Sequence, residues 1–211
     1  MCYDSKTSIT TYFVGTLSSI YLMLTKNNSY NIAGGFFLFV SQMQLIEYLI
    51  WDQKVICDNY NIKVSNVGSI LNHLQPIVLF ILLKKLNQNI SQKNKKIMNG
   101  LISIYLISFL LYSIDVYPLD CTTLDNKNHL LWQWGYKKNY KLFYIIFLSV
   151  LVLLSYLGFD APYNIIFSII ILATFVLSYF RYKDTKAVGA IWCWYAALIP
   201  SFIMFYDITK N

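Results

Sequence analysis

Seven stretches of mostly apolar residues, separated by short polar segments, occupy nearly the whole chain. A helix needs about 20 mostly apolar residues to cross the hydrocarbon core of a bilayer, which is about 30 Å thick. The stretches lack the alternation of barrel strands, so in lipid we expect them to be helices. The pattern predicts an all-α, polytopic transmembrane bundle of seven helices in a single domain, 1–211. The predicted spans are 8–25, 31–51, 67–83, 100–117, 141–159, 163–180 and 187–206.

The composition agrees with a membrane protein. Charged residues make up 13% of the chain and hydrophobic residues 57%, whereas an ordinary soluble domain has about 25% charged residues. The net charge is +7, and most of the lysines lie between the spans, where anionic head groups are the natural partner. We therefore expect the lipid bilayer as the partner of these charges, and no nucleic acid. No feature of the sequence predicts an oligomeric state.

The orientation is predicted from a lysine cluster between the third and fourth spans. Basic residues near short loops are retained in the cytoplasm, which places this connection inside. With seven spans the N-terminus is then outside or lumenal and the C-terminus is cytoplasmic. The prediction rests on the local density of lysine, because the outer segments together carry more basic residues than the inner ones. The cluster consists of Lys84, Lys85, Lys93, Lys95 and Lys96.

The cysteines gather toward the predicted outer side. Cys2, Cys57 and Cys121 fall in outer segments, and Cys193 lies about a turn and a half into the seventh span from that side. An outer or lumenal compartment is oxidising enough to keep a disulfide. We predict that Cys57 or Cys121 is bonded, either to Cys2 or to each other. The alternative is a set of free, partly buried thiols.

The second and third spans each carry a polar face. Gln44, Glu47 and Trp51 are spaced by three and four and therefore share one side of a helix. Glu47 is the only glutamate of the chain. It lies about four residues from the outer end of its span, and His73 lies about six from the outer end of the next, so we expect the two to meet. The outer half of the third span carries Asn66, Ser69, Asn72, His73, Gln75 and Pro76.

Two interpretations of this cluster are open. An unpaired charge at mid-membrane costs about 2.5–3.5 kcal/mol, so such side chains face the bundle and find partners there. The first interpretation is a structural hydrogen-bond clamp between the two helices. The second is a polar pocket that opens outward and handles a small solute, an ion or a proton, with His73 as the titratable partner of Glu47.

The seventh and fourth spans supply further candidates for the same pocket. Trp192 and its neighbour Trp194 lie in the seventh span, where aromatic side chains either form an interfacial belt or wall the pocket. Asp115, near the outer end of the fourth span, either points into the pocket or extends to the head groups. Neither choice is decided by the sequence.

The longest connection, 118–140, separates the fourth and fifth spans. Its segment 129–134, His-Leu-Leu-Trp-Gln-Trp, suits a short element that lies in the interface or caps the bundle. A metal site built from His129, Asp120 and Cys121 is an alternative, but these residues lack the tight spacing of metal ligands. We therefore predict no metal and no cofactor.

Several seven-helix activities require residues that the sequence lacks. A retinal protein needs a lysine in the seventh span, and 187–206 contains none. Membrane zinc hydrolases of the ceramidase and adiponectin-receptor kind need a set of histidines, whereas this chain has two. A voltage sensor needs a ladder of arginines, and Arg181 is the only arginine.

Short motifs along the whole chain resemble a family of integral membrane proteins from bacteria and from large DNA viruses of algae and protists. Members of this family tend to open Met-Cys-aromatic-Ser, and Asp4 departs from that serine. The resemblance implies about seven helices and carries no established activity. The motifs are Met1-Cys2-Tyr3 with Ser8, the segment 43–51, Leu74-Gln75-Pro76 and the segment 192–197. The residues that the resemblance singles out are Cys2, Gln44, Glu47, Trp51, Gln75, Pro76, Trp192 and Cys193.

Three functions are consistent with these residues. The leading hypothesis is binding or passage of a small solute, ion or proton through the outward-facing polar pocket. The second is a membrane-embedded enzyme acting on lipid or thiol chemistry, with Cys2 or Cys193 as nucleophile. The third is a structural protein of a viral or internal membrane.

Overall fold

The computed structural model describes residues 4–135, 137–183 and 187–210. In these ranges the protein is an all-α bundle, as the hydropathy pattern predicts, with one small antiparallel hairpin and one turn of 3-10 helix. The helices are α1 (Ser5–Met23), α2 (Asn28–Asp52), α3 (Asn59–Leu86), α4 (Gln92–Val116), α5 (Tyr140–Gly158), α6 (Tyr163–Tyr182) and α7 (Val188–Lys210). Between α4 and α5 lie β1 (Thr123–Leu124), β2 (Leu130–Leu131) and the 3-10 turn Gln133–Gly135.

Six of the seven helices, α2 to α7, are long and apolar enough to cross a membrane. The first predicted span, α1, is not among these six helices. Eight of its 19 residues are serine or threonine, which lowers its hydropathy. The apolar side chains of α1 nevertheless face outward. Phe13 and Leu17 are 55% and 65% exposed, whereas Ser8, Ser18 and Ser19 are buried.

The rest of the bundle has the same inverted arrangement. Gln44, Glu47 and His73 are completely buried, while large apolar side chains cover the exterior. This reverses the distribution of a water-soluble protein, whose surface does not carry apolar patches of this extent. The chain is therefore a multi-pass membrane protein. The exposed apolar face of α4 alone contains Ile104, Ile107, Leu110, Leu111 and Ile114.

Side-chain caps decide where several helices begin. The side chains of Asp4, Asn27, Asp58 and Ser91 accept hydrogen bonds from backbone N–H groups in the first turns of α1 to α4, which the start of a helix otherwise leaves without partners. Because of these caps, α3 and α4 begin earlier than the predicted spans and include polar turns. The predicted lysine-rich loop is therefore mostly helical, and only 87–91 connects the two helices.

The bundle has two distinct ends. At one end lie the α2–α3 connection, 53–58, and the long α4–α5 connection, joined by a disulfide; we call it the disulfide face. At the opposite end lie the α1–α2 and α3–α4 connections with the lysine cluster; we call it the lysine face. Laterally, α1 packs against α2 and α7, and α4 packs against α3 and α5.

Glycine allows α1 to lie directly on its neighbours. A Cβ atom on Gly15 would be 2.5 Å from the backbone oxygen of Ala197 on α7 and 2.5 Å from Ser41 Oγ on α2. A Cβ atom on Gly34 of α2 would be 2.7 Å from the backbone oxygen of Ser19. Such small residues let membrane helices approach closely, which compensates for the weak hydrophobic drive between helices in lipid.

We predict that Gly15→Ala lowers the thermal unfolding midpoint in detergent, because the new methyl group overlaps a backbone atom and overpacking costs about 1–3 kcal/mol. Gly100→Ala on α4 is the matched control, since nothing lies within 4 Å of a Cβ atom there. This control should be neutral or stabilising, because alanine is favoured over glycine in helices by about 0.8–1 kcal/mol. Equal effects of the two substitutions would contradict the close contact.

Candidate functional site

Glu47 lies in the interior, on the face of α2 that the spacing of polar residues predicts. Its Oε2 accepts a hydrogen bond of 3.1 Å from Gln44 Nε2, one turn earlier. On α7, the Cys193 thiol lies beside the Gln75 amide of α3 and within electrostatic range of the Glu47 carboxylate. Three helices therefore contribute polar groups to one buried region.

Asn72 and Tyr144 extend this region from α3 to α5. Asn72 Oδ1 lies 3.9 Å from Cys193 Sγ, which can donate to it. Asn72 Nδ2 donates to the Tyr144 hydroxyl at 3.3 Å. The Tyr144 oxygen also lies 3.2 Å from Nε2 of His73.

His73 continues the contacts toward the disulfide face. Its Nδ1 lies 3.3 Å from Ser69 Oγ, one turn earlier on α3. The Tyr117 hydroxyl, just beyond the end of α4, donates to Ser69 Oγ at 3.1 Å. Serine and tyrosine hydroxyls both donate and accept, and a neutral imidazole does the same through its two nitrogens.

Together these side chains form a series of neighbouring polar groups that we call the polar chain. It begins at the disulfide face and ends at Gln44 on α2. It contains both Glu47 and His73, which the sequence predicts to meet. Hydrogen bonds link His73 to Cys193 through Tyr144 and Asn72, and Cys193 lies within electrostatic range of Glu47. The members of the polar chain are Tyr117, Ser69, His73, Tyr144, Asn72, Cys193, Gln75, Glu47 and Gln44.

Aromatic rings surround the His73 imidazole. The rings of Phe109 and Phe143 each lie 5.3 Å from it, centre to centre. The Tyr105 hydroxyl donates to the backbone oxygen of His73 at 2.6 Å, in the turn before Pro76, where the helix lacks one backbone donor. The remaining rings near the imidazole belong to Tyr112, Trp134 and Tyr144.

Two buried polar atoms of the predicted site have no hydrogen-bond partner among the described residues. They are the acceptor Gln44 Oε1 and the donor Trp51 Nε1. Buried polar groups are nearly always paired with protein or ordered water. The unmatched acceptor and the unmatched donor are therefore the atoms of the site to which a water or a small polar molecule would bind.

Two predicted pocket residues lie elsewhere. Asp115 is exposed and accepts a hydrogen bond of 3.2 Å from Asn139 at the start of α5. The indole of Trp192 donates to Thr174 Oγ1 on α6 at 3.1 Å and packs on the ring of Phe147. Among the contacts of the described residues, neither side chain touches the polar chain, so the structure places both of them apart from it.

The cysteines have separate positions. Cys57 and Cys121 form a disulfide with a Cα–Cα distance of 5.4 Å, one of the pairings that the sequence leaves open. Cys193 is a free thiol, buried in the polar chain. Cys2 lies outside the residues that the structure describes, so its predicted role as a disulfide or nucleophile candidate stays a prediction.

The proposed alternative metal ligands have other partners. Cys121 is in the disulfide, Asp120 lies 3.4 Å from Lys137 Nζ, and His129 Nδ1 lies 3.0 Å from Asp125. Within 4–135, 137–183 and 187–210, no group of three or more His, Cys, Asp or Glu residues is arranged to hold a metal.

Asp125 organises the turn between β1 and β2, outside the spans. Its Oδ1 accepts hydrogen bonds from the backbone N–H groups of His129 at 2.7 Å and Lys127 at 2.8 Å. Burial alone would raise the pKa of Asp125, but these hydrogen bonds and the nearby His129 ring lower it below its ordinary value. A carboxylate with such donors stays charged and holds the hairpin closed.

The α4–α5 connection closes the disulfide end of the polar chain. We call residues 117–135 the cap. Leu130, Trp132 and Trp134 of the cap are buried inside the bundle, so the segment caps the helices, which is one of the two arrangements that its sequence suggests. The site is therefore enclosed, rather than open to the outside as expected.

Sequence reasoning missed the contribution of tyrosine to this site. Tyr144 is followed by a long apolar run of α5, and Tyr105 lies in a mostly apolar part of α4. The chain contains 18 tyrosines, so a tyrosine within a span is not by itself a signal. Only the packing of α3 against α4 and α5 brings these hydroxyls to His73.

The chain matches no protein-family model, no curated protein and no solved structure. The resemblance to bacterial and viral membrane proteins therefore stays a prediction. The function has to be argued from the geometry of the polar chain.

We predict that Tyr144→Phe destabilises the protein. The substitution leaves His73 Nε2 and Asn72 Nδ2 without their shared oxygen, and a buried unpaired group costs about 1–3 kcal/mol. Tyr156→Phe, on the same helix but 53% exposed, is the control and should leave the thermal unfolding midpoint unchanged. If both variants unfold at the wild-type temperature, the Tyr144 hydroxyl does not join His73 to Asn72.

Proposed function

We propose that this membrane protein binds protons and passes them along the polar chain. The observation that carries the proposal is that a carboxylate, an imidazole and a thiol are all buried inside a lipid-facing bundle. Hydrogen-bonding side chains link the imidazole to the thiol, and the thiol lies within electrostatic range of the carboxylate. Ionisable residues at membrane depth are costly and rare, and they mark ion pathways and proton relays. Glu47 is the charged group of the site, and His73 is the group that exchanges protons with it.

Each part of the polar chain has a distinct role in this proposal. Tyr117 and Ser69 connect His73 with the disulfide face, and their hydroxyls can accept one proton while giving up another. Tyr144 links His73 to Asn72. The amide of Asn72 orders its neighbours rather than carrying a proton itself. Water bound at Gln44 Oε1 carries the proton past Asn72 to Glu47.

The unpaired amide oxygen of Gln44 favours this proposal over a structural clamp. A clamp stabilises two helices when each donor meets an acceptor, whereas Gln44 Oε1 is buried without a partner among the described residues. A thiol enzyme has less support, since Cys193 is enclosed by three helices and can donate its S–H to Asn72.

We further propose that the disulfide face is outside or lumenal and the lysine face cytoplasmic. Two independent features support this orientation. The Cys57–Cys121 bond is at one end of the bundle, and disulfides persist in oxidising compartments. The lysine cluster is at the other end of the bundle, and short lysine-rich connections are retained in the cytoplasm.

The orientation predicts the labelling of two engineered cysteines by a membrane-impermeant maleimide in intact cells. A cysteine at Gln88, exposed in the α3–α4 connection, should stay unlabelled until the membrane is permeabilised. A cysteine at Asn126, exposed in the cap, should be labelled at once. The reverse pattern would invert the orientation.

The proposed function predicts proton flux in liposomes that contain the purified protein, a proton-sensitive dye and an imposed potassium gradient with valinomycin. Glu47→Gln and His73→Leu should each reduce the flux by about a hundredfold, the low end of what a positioned proton-transferring side chain contributes. Asp52→Asn is the matched control, because this exposed carboxylate lies on the same helix as Glu47 but outside the polar chain.

Correct folding of each variant is checked by size-exclusion chromatography and helical circular dichroism before reconstitution. Wild-type liposomes that are no more permeable to protons than empty ones would contradict passage. Equal flux through wild type and both variants would remove Glu47 and His73 from the path.

A further inference from the structure

The cap lies directly over the His73 end of the polar chain. The indoles of Trp132 and Trp134 stack with ring centres 4.4 Å apart. A Cβ atom on Gly68 of α3 would be 3.3 Å from Trp134 and 3.5 Å from Trp132, so both rings press on the helix that carries His73. The Trp134 ring centre is 6.4 Å from that of His73. With the cap in place, the His73 side chain has no exposed surface.

Polar contacts hold the cap to α3 and α4. Thr122 N–H donates to Asn61 Oδ1 at 2.8 Å, and Asn61 Nδ2 donates to the Thr122 oxygen at 3.0 Å. The hydroxyls of Ser65 and Thr122 lie 2.7 Å apart. At the far end of the cap, the Tyr112 hydroxyl donates to the backbone oxygen of Trp134.

A single covalent bond reinforces these contacts. The Cys57–Cys121 disulfide joins the α2–α3 corner to the cap residue next to Thr122. Cys121 is 5% exposed, whereas Cys57 lies on the surface of the corner. A reagent from the disulfide face therefore reaches the bond from the Cys57 side.

The interior of the cap is imperfectly matched. Trp132 Nε1 is a buried donor with no hydrogen-bond partner in the part of the chain that the structure describes. The cap thus keeps its two indoles inside the bundle although the Trp132 N–H has no acceptor among the described residues. Water can accept a hydrogen bond from this N–H when the segment moves outward.

We propose that the disulfide is a latch, and that its reduction by an external dithiol releases the cap and opens the His73 end of the polar chain to the disulfide face. This regulation rests on the proposed function of the polar chain. In the latched form protons reach His73 only through the Tyr117 and Ser69 hydroxyls, whereas the reduced form also admits water to His73 through the space that Trp132 and Trp134 vacate.

The chemical step is thiol–disulfide exchange. A thiolate of the dithiol attacks the Cys57 sulfur, the bond to Cys121 breaks, and Cys121 leaves as a thiolate that takes up a proton. The second thiol of the reagent then displaces Cys57 from the mixed disulfide. The reagent ends as a cyclic disulfide, and the protein gains two electrons and two protons.

Hydrogen–deuterium exchange of the purified wild-type protein in detergent, with and without dithiothreitol, tests the latch. Exchange of backbone amides in peptides covering 119–135 should accelerate by at least about tenfold on reduction, because the cap then opens locally. Peptides from α5 and α6 serve as the internal control and should not change. A Cys57→Ser, Cys121→Ser double variant should exchange rapidly in this segment whether or not dithiothreitol is present.

Proton flux in liposomes, with dithiothreitol added outside, is measured in parallel. Faster exchange in 119–135 supports the latch even when no flux is found, in which case only the proposed function fails. Unchanged exchange on complete reduction, verified by mass, overturns the latch even when the wild-type protein conducts protons.

Discussion

Hydrocarbon cannot solvate a polar side chain, and the arrangement of this bundle follows from that constraint. Glu47 lies on a membrane-spanning helix, so its carboxylate must find its partners inside the protein. The α2 face that carries it therefore turns inward, toward Gln75 of α3 and Cys193 of α7. Apolar side chains take the opposite position and cover the exterior, where lipid replaces water.

Close packing of small residues determines how these polar groups line up. The contact of Gly15 with the backbone of Ala197 holds α7 at a defined height beside α1 and α2. Cys193 lies one helical turn from Ala197, so the same contact sets the position of its thiol relative to Glu47. The hydroxyl-rich face of α1 thus supports the site although α1 contributes no residue to the polar chain.

The sequence predicts the all-α bundle and the buried faces of α2 and α3 because hydropathy and a spacing of three to four residues are local properties. It leaves Asp115 and Trp192 open, since the direction in which each points depends on how α4 and α7 rotate against their neighbours. Tyr144 is missed for the same reason. The disulfide partner of Cys57 is likewise a matter of tertiary structure, because 64 residues separate it from Cys121.

The central claim is that Glu47 and His73 belong to one connected unit, and a double-mutant cycle tests it most directly. The free energy of unfolding is measured in detergent for wild type, Glu47→Leu, His73→Leu and the double variant. Residues in one hydrogen-bond network couple by about 0.5–3 kcal/mol, so the two single losses should together exceed the loss in the double variant by such an amount. Strictly additive losses would contradict the polar chain.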